Sequence, residues 1–273
     1  MRISSNDSVV FLMGPTASGK TELALEIFDR FDVCLISVDS ALIYRGMDIG
    51  TAKPSPETLE NYPHELIDIC EPEETFSVNH FVSLAKEHID LALKENKLPV
   101  LVGGTSFYFH ALEHGLSELP ESTKDSRKHF NNLLKNKGSE KLHSQLVKID
   151  PKSAERIHPN DSQRITRALE VFHLSGQTLS ELQGNQAINK LDHQIKKIIL
   201  MPDRSELHLR IEKRFMKMME SGFLDEVEIL RNNKNLNLDL ASMRCVGYRQ
   251  AWKYFDGVYD KQEMIDKAVI ASR

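Results

Sequence analysis

Cysteine is scarce in this 273-residue chain, and Cys34, Cys70 and Cys245 fit neither a metal-binding nor a disulfide spacing. Each lies among apolar neighbours and reads as a small buried hydrophobe, and the absence of a disulfide framework points to a cytosolic, cytoplasmic protein. Long hydrophobic runs are missing too. No apolar stretch approaches membrane-spanning length, and residues 1–8 are polar, without the core of a signal peptide, so no membrane partner is expected. There is no internal repeat and no low-complexity segment. Nor is there an excess of positive charge: the net charge is −5, which on its face argues against a nucleic-acid partner. The distribution argues the other way. Residues 124–167 hold eleven Lys and Arg against five Asp and Glu, a local +6 that leaves −11 for the remainder. A basic block in an acidic chain suggests a polyanion-binding face, although solvated helix surface accounts for it equally well.

What is present is an ordinary globular composition, 40% hydrophobic and 27% charged, with length enough for one large domain plus an insertion. The chain is organised around Gly14-Pro15-Thr16-Ala17-Ser18-Gly19-Lys20-Thr21. An apolar run at 9–13 precedes it, and helical spacing continues at 22–28. Strand, glycine-bearing loop and helix with the spacing G-x-x-x-x-G-K-[ST] make a phosphate-binding loop. Gly14 and Gly19 let the backbone curl so that its N–H groups share one hollow, and the helix adds its positive end. Lys20 adds a point charge, and the Thr21 hydroxyl is placed to ligate Mg²⁺. An uncommitted glycine turn would leave Lys20 and Thr21 unexplained.

A second strand at 32–38 ends in Asp39-Ser40-Ala41-Leu42, which puts Asp39 on the rim where parallel strands present ligand-binding residues. Asp39 also suits a helix cap. The glycines and proline of 44–54 exclude a long regular element. A third strand is expected at 66–69, then a helix capped by Ser77 with Phe81, Leu84, Ile89 and Leu91 on or near its inner face. A fourth strand at 98–102 runs into Gly103-Gly104-Thr105, where backbone can approach a ligand and Thr105 opens the next helix. From Pro120 to His193 the texture is polar, Lys-rich and helical. There Asp161 or Ser162 caps a helix whose first turns carry Arg164 and Arg167 on one face, with Ala168, Leu169, Val171 and Phe172 on the buried side. Strand character returns at 195–201, a helix starts at Ser205, and 242–250 sets two arginines and a tyrosine around Gly247. The last helix, from about Lys261, reaches Arg273 without a capping residue, which leads us to expect that the natural chain continues. The pattern specifies an α/β fold: a P-loop NTPase-like parallel-sheet core (1–119 and 194–273) with an inserted helical domain (120–193).

The phosphate loop alone admits three readings: a switch or ATPase module with Asp39 as the Mg²⁺-water acid, a small-molecule kinase with a helical lid, or a transferase that uses the loop for a diphosphate leaving group. Further motifs narrow them. The loop itself, Ile36-Ser37-Val38-Asp39-Ser40-Ala41-Leu42-Ile43-Tyr44, Met47-Asp48-Ile49-Gly50-Thr51-Ala52-Lys53-Pro54, Val102-Gly103-Gly104-Thr105, His158-Pro159-Asn160-Asp161, Gln163-Arg164 and Arg244-Cys245-Val246-Gly247-Tyr248-Arg249 occur in this order along essentially the whole chain. Together they closely resemble the tRNA dimethylallyltransferase family, in its bacterial form, since the zinc finger of eukaryotic members has no counterpart here.

The resemblance implies transfer of a dimethylallyl group from dimethylallyl diphosphate to the exocyclic amine of the adenosine just 3′ of the anticodon, in tRNAs reading codons that start with U. Gly14 to Thr21 would cradle the diphosphate with Mg²⁺, Lys20 taking part in the chemistry. Asp39 would accept the amine proton, and Thr105 would hydrogen-bond the leaving oxygen. Contacts to the tRNA anticodon stem-loop would come from Asp39, Ser40, Ala41, Leu42 and Thr105, from Arg127, Gln163, Arg164, Ile165, Thr166 and Arg167, and from Arg244, Cys245, Val246, Gly247, Tyr248 and Arg249. A monomer is expected. Family members continue past Arg273 into a basic tRNA-contacting segment. The alternatives are an adenylate isopentenyltransferase and a phosphate-loop kinase.

Overall fold

The computed structural model describes residues 8–184 and 188–273; the expectation of no signal peptide falls almost wholly on residues 1–7, which lie outside the described residues. The chain divides into two compact units. One runs to Glu113 and resumes at Leu191, and the other is the helical unit His114–Lys190, where sequence texture sets the limits at 120 and 193. Among the described residues no helix is long and apolar enough to cross a membrane.

The first unit is built on a five-stranded, all-parallel sheet, β1 (Ser8–Met13), β2 (Val33–Val38), β3 (His64–Glu65), β4 (Leu98–Gly103) and β5 (Gln194–Ile199), in the order β3-β2-β4-β1-β5. The central strands are mainly apolar because both faces are covered. Val10 and Leu12 of β1 pack with Ala24 and Ile27 of the helix Lys20–Arg30. On the opposite face Phe11 meets the Phe109 ring at 4.9 Å, from the helix Ser106–His114. Register aligns the strand ends, since Gly103 of β4 pairs with Met13 of β1 on one side and with Val38 of β2 on the other. A Cβ at Gly103 would collide with the Val38 carbonyl oxygen, so only glycine allows β2 and β4 to stay paired to their ends. Three strands therefore stop at one level.

Two local expectations are corrected. The third strand is His64–Glu65 rather than 66–69, because Leu66 (φ 64°) and Asp68 (φ 54°) take left-handed backbone that no strand accommodates. Ser77 does cap the helix Val78–Lys94, accepting from the His80 amide, but Leu91 is 46% exposed and belongs to its outer side. Helices Arg204–Glu220, Phe223–Asn232, Tyr248–Phe255 and Lys261–Ser272 form a second core that takes in Ile43, Tyr44 and Met47 from the connection after β2.

The helical unit has its own core, including Phe130, Leu142, Leu146, Ile165, Ala168 and Leu169. Asp161 caps the helix Ser162–Ser175, accepting from the Arg164 amide. Phe172, expected inside, is 37% exposed, whereas the acidic Glu170, two residues before it, is buried. Its carboxylate takes hydrogen bonds from the Ser122 and Ser126 hydroxyls and from Arg167, whose guanidinium also reaches the Pro120 carbonyl at 2.7 Å.

Burial alone would raise the Glu170 carboxyl, but the bonds from Ser122, Ser126 and Arg167 outweigh it and hold it below the ordinary value of 4.5. Its stabilising contribution is therefore full above that value and is lost as pH falls through the lowered one. Glu170→Gln should cost about 1–3 kcal/mol at neutral pH. Thermal midpoints tracked from about pH 6 to pH 3 should fall less steeply in the variant than in the wild type. Parallel curves would contradict this role.

Candidate active site

One residue beyond the common end of the three strands, the chain delivers Gly14, Asp39 and Gly104 to the same rim. The phosphate loop curls there with left-handed backbone at Ala17 (φ 64°) and Gly19 (φ 91°), and the helix Lys20–Arg30 starts from it. Thr21 stands exposed in that helix's first turn. The Lys20 ammonium is turned onto the loop itself, donating to the carbonyls of Gly14 at 2.8 Å and Pro15 at 2.6 Å.

Asp39 reaches the rim but caps no helix. One carboxylate oxygen accepts from the amides of Ala41 at 2.8 Å and Leu42 at 3.3 Å, closing a turn without starting a helix. The other oxygen has no protein donor among the described residues. Thr105 does not cap its own helix with its hydroxyl. That oxygen accepts the Ser40 amide at 3.1 Å, and the Thr105 amide donates to the Val38 carbonyl at 3.3 Å. The two strand ends are thus tied, and the Thr105 hydroxyl hydrogen is left to donate elsewhere.

Beside this rim opens a cleft of about 510 Å³ that Thr16, Asp39, Ser40, Ala41, Gly104 and Thr105 help to line. The segment after the helix Phe223–Asn232 contributes Arg244, Cys245 and Val246. Tyr44, Phe76, Tyr108 and Phe215 supply apolar wall. Burial pushes the Tyr108 phenol up to about 12, with the Asp39 charge adding to it, and pushes the Cys245 thiol up to about 12, so both stay protonated at neutral pH.

Sequence reasoning missed Arg214. It lines the cleft from the helix Arg204–Glu220, and its Nη2 donates to the Thr51 carbonyl at 3.1 Å while its Nε is buried without a partner. Burial lowers its pKa, with the Asp39 and Glu22 charges pulling the other way, yet an arginine stays charged. Lys20 is lowered by burial and by Arg214 against the pull of Asp39. Neither cation has an ion-pair partner within 4 Å among the described residues. Two partly desolvated positive charges near one carboxylate make a hollow that favours a multiply charged anion. The available signal was a cation inside the apolar stripe Ile211, Phe215, Met218 of a helix.

The remaining expected residues divide. Leu42, Gly247 and Arg249 do not line the cleft, though Arg249 is exposed. Tyr248 borders it but is fully buried, its hydroxyl bound to Glu226, so it is wall and not an RNA-facing side chain. In the helical unit, Arg127, Gln163 and Arg164 are exposed. Ile165 is corrected: it is wholly buried in that unit's core and cannot touch RNA. Thr166 turns its hydroxyl onto the Ser162 carbonyl at 2.8 Å, and Arg167 is occupied by Glu170.

Residues 42–273 match the IPP transferase family model. The tRNA dimethylallyltransferase of Ruthia magnifica subsp. Calyptogena magnifica is 63% identical over 273 residues, all of this chain and 89% of that protein. The tRNA dimethylallyltransferase of Vesicomyosocius okutanii subsp. Calyptogena okutanii is 62% identical over the same shares. Among solved structures, the tRNA isopentenylpyrophosphate transferase of Bacillus halodurans superposes with a TM-score of 0.68 at 36% identity, covering 97% of this chain and 83% of that one. A eukaryotic dimethylallyltransferase acting on tRNA reaches 0.78 at 23% identity, over 97% of this chain and 67% of that one, a likeness of fold.

Loss of the guanidinium should be felt by the anion before anything else. Arg214→Gln is expected to weaken binding of inorganic diphosphate by about tenfold or more, since a hydrogen bond to a charged group contributes about 1.5–3 kcal/mol. Isothermal titration with diphosphate reads this directly, and an unchanged affinity would remove Arg214 from the site.

Proposed function

The chain belongs to the IPP transferase family, and from that footing we propose that its cleft transfers a dimethylallyl group from dimethylallyl diphosphate to the exocyclic amine of the adenosine just 3′ of the tRNA anticodon. The observation that carries this reading is the meeting of Asp39 and Arg214 in the lining of one cleft, beside the apolar side chains of Phe76, Ile211 and Phe215, with Lys20 near enough to feel both charges and neither cation held in an ion pair among the described residues. The amine nitrogen attacks the allylic carbon as its bond to the diphosphate oxygen breaks. The bonding pair leaves with diphosphate, and the amine proton goes to Asp39. Positive charge grows on carbon and negative charge on the leaving oxygen. Lys20, Arg214 and the loop amides meet that negative charge where it develops. The Thr105 hydroxyl, which already accepts from Ser40, donates its hydrogen to the leaving oxygen. Adenine amines are weak nucleophiles, so a carboxylate within reach matters as the proton becomes acidic. The base leaves its stack to enter the cleft, which calls for a broad RNA-holding surface beside a small pocket.

Thr21 is the residue that would hold Mg²⁺. Among the described residues no cluster of three His, Cys, Asp or Glu could bind a metal unaided. A hydroxyl shared with substrate phosphate oxygens suits Mg²⁺, which usually keeps few protein ligands. Bound there, the ion would supply neutralising charge for diphosphate. We read the protein as a cytoplasmic monomer whose basic helical unit, through Arg127, Gln163 and Arg164, meets the anticodon stem-loop.

Incubation with labelled dimethylallyl diphosphate and either tRNA or AMP tests the reaction. Label is expected in tRNA; label in AMP, or phosphate transfer from ATP to a small acceptor, would overturn it. Asp39→Asn keeps the oxygen that caps Ala41 and Leu42 and removes the basicity. Single-turnover transfer should fall about 10²–10⁴-fold with diphosphate affinity and thermal stability nearly unchanged. A parallel loss of diphosphate affinity, rescued by added Mg²⁺, would instead make Asp39 an organiser of the metal. The two arginines of the helical unit should behave differently. Arg164→Ala should weaken tRNA binding and reduce its salt slope by about one, whereas Arg167→Ala should lower the melting temperature first. Identical effects of the two on salt slope and melting would refute that division.

A further inference from the structure

The motif at 47–54 carries none of the groups that react, yet it is held more tightly than a connecting loop needs. One carboxylate, Glu226 of the helix Phe223–Asn232, accepts three successive backbone amides: Asp48 at 2.9 Å, Ile49 at 2.7 Å and Gly50 at 3.1 Å. The Tyr248 hydroxyl donates to the same group at 2.5 Å. Gly50 lies against the Phe223 and Tyr248 rings, and a Cβ there would run into both. Toward the motif's far end, the Lys53 ammonium, its side chain only 3% exposed, joins Asp48, Asp68 and the Tyr44 carbonyl. The peptide in between is Thr51, and its carbonyl receives Arg214. Among the described residues that is Arg214's one hydrogen bond. The position of the guanidinium in the cleft therefore depends on where this carbonyl is held.

We propose that Glu226 is a positioning residue that sets the Arg214 guanidinium in the cleft by fixing the backbone of residues 48–51. This rests on the reading of Arg214 as a diphosphate ligand. A carboxylate suits the task because it offers acceptors to three amides at once and no donor. A glutamine would turn an NH₂ group toward amides that also donate, and the Thr51 carbonyl would lose its fixed place. Arg214 would then spend binding energy on ordering itself.

The test is a double-mutant cycle read by steady-state transfer kinetics with labelled dimethylallyl diphosphate and tRNA. Glu226→Gln should raise the KM for the allylic diphosphate about tenfold, with the KM for tRNA unchanged and a smaller fall in kcat. Arg214→Gln should raise the same KM at least as much, and Glu226→Gln added to it should change little further. Full additivity, or an equal rise in the KM for tRNA, would overturn the proposal and leave Glu226 a general stabiliser. No effect of Arg214→Gln on the diphosphate KM would instead overturn the reading of Arg214. Should Glu226→Gln fail to fold, Tyr248→Phe removes a single bond to the carboxylate and should move the diphosphate KM in the same direction by a smaller factor. No movement in that variant counts against the proposal.

Discussion

Gly103 is the constraint on which the site depends. Because it pairs with Met13 and Val38 at once, and because nothing larger fits against the Val38 carbonyl, β1, β2 and β4 end together. The phosphate loop, the carboxylate of Asp39 and the hydroxyl of Thr105 are then neighbours by backbone geometry before any side chain is placed. Two links across the rim, Ser40 amide to Thr105 hydroxyl and Thr105 amide to Val38 carbonyl, keep them so. On this frame the charges can be poised: Lys20 and Arg214 sit partly desolvated, Lys20 raised in energy by burial and by Arg214, Arg214 by burial, and an anion that neutralises both recovers that cost.

What could be read in the sequence was what is local. The phosphate loop is a contiguous motif with its strand and helix attached, and Asp39 and Thr105 come from the rule that ligands meet the carboxyl ends of parallel strands. Arg214 and Glu226 were not legible in that way, because each acts on a segment more than 160 residues earlier in the chain. Glu226 in the first turn of a helix has an ordinary electrostatic explanation, and only the fold shows that its oxygens point at the amides of 48–50. The short strand was misplaced because Leu66 and Asp68 adopt positive φ without a glycine to announce it. Ile165 is a different kind of error. A motif transferred as a block carries its buried members along, although the helical period groups Ile165 with Ala168 and Leu169 on the inner side.

The helical unit shows how one basic segment divides its work. Arg164 is exposed and only loosely paired with Asp161 at 3.4 Å, an arrangement that costs little to exchange for a phosphate. Arg167, one turn on, binds a buried glutamate and a backbone carbonyl, and so its charge is spent inside the unit. Net positive charge along a stretch therefore overstates the charge available to an RNA, and the fold decides which members are free.

The place of β1 in the sheet has a bearing on how the protein is made. Its neighbours are β4 and β5, and Gly14 is seated against Leu200, so the strand that leads into the phosphate loop has both edges paired only after residue 199 exists. At a synthesis rate of about 5–20 residues per second, the loop leaves the ribosome about 10–40 s before its second strand partner. The whole helical unit, with a core of its own, is translated in that interval. Arg214 and Glu226 come later still. The most recognisable segment of the chain is made early, and it waits for nearly every residue that gives it a purpose.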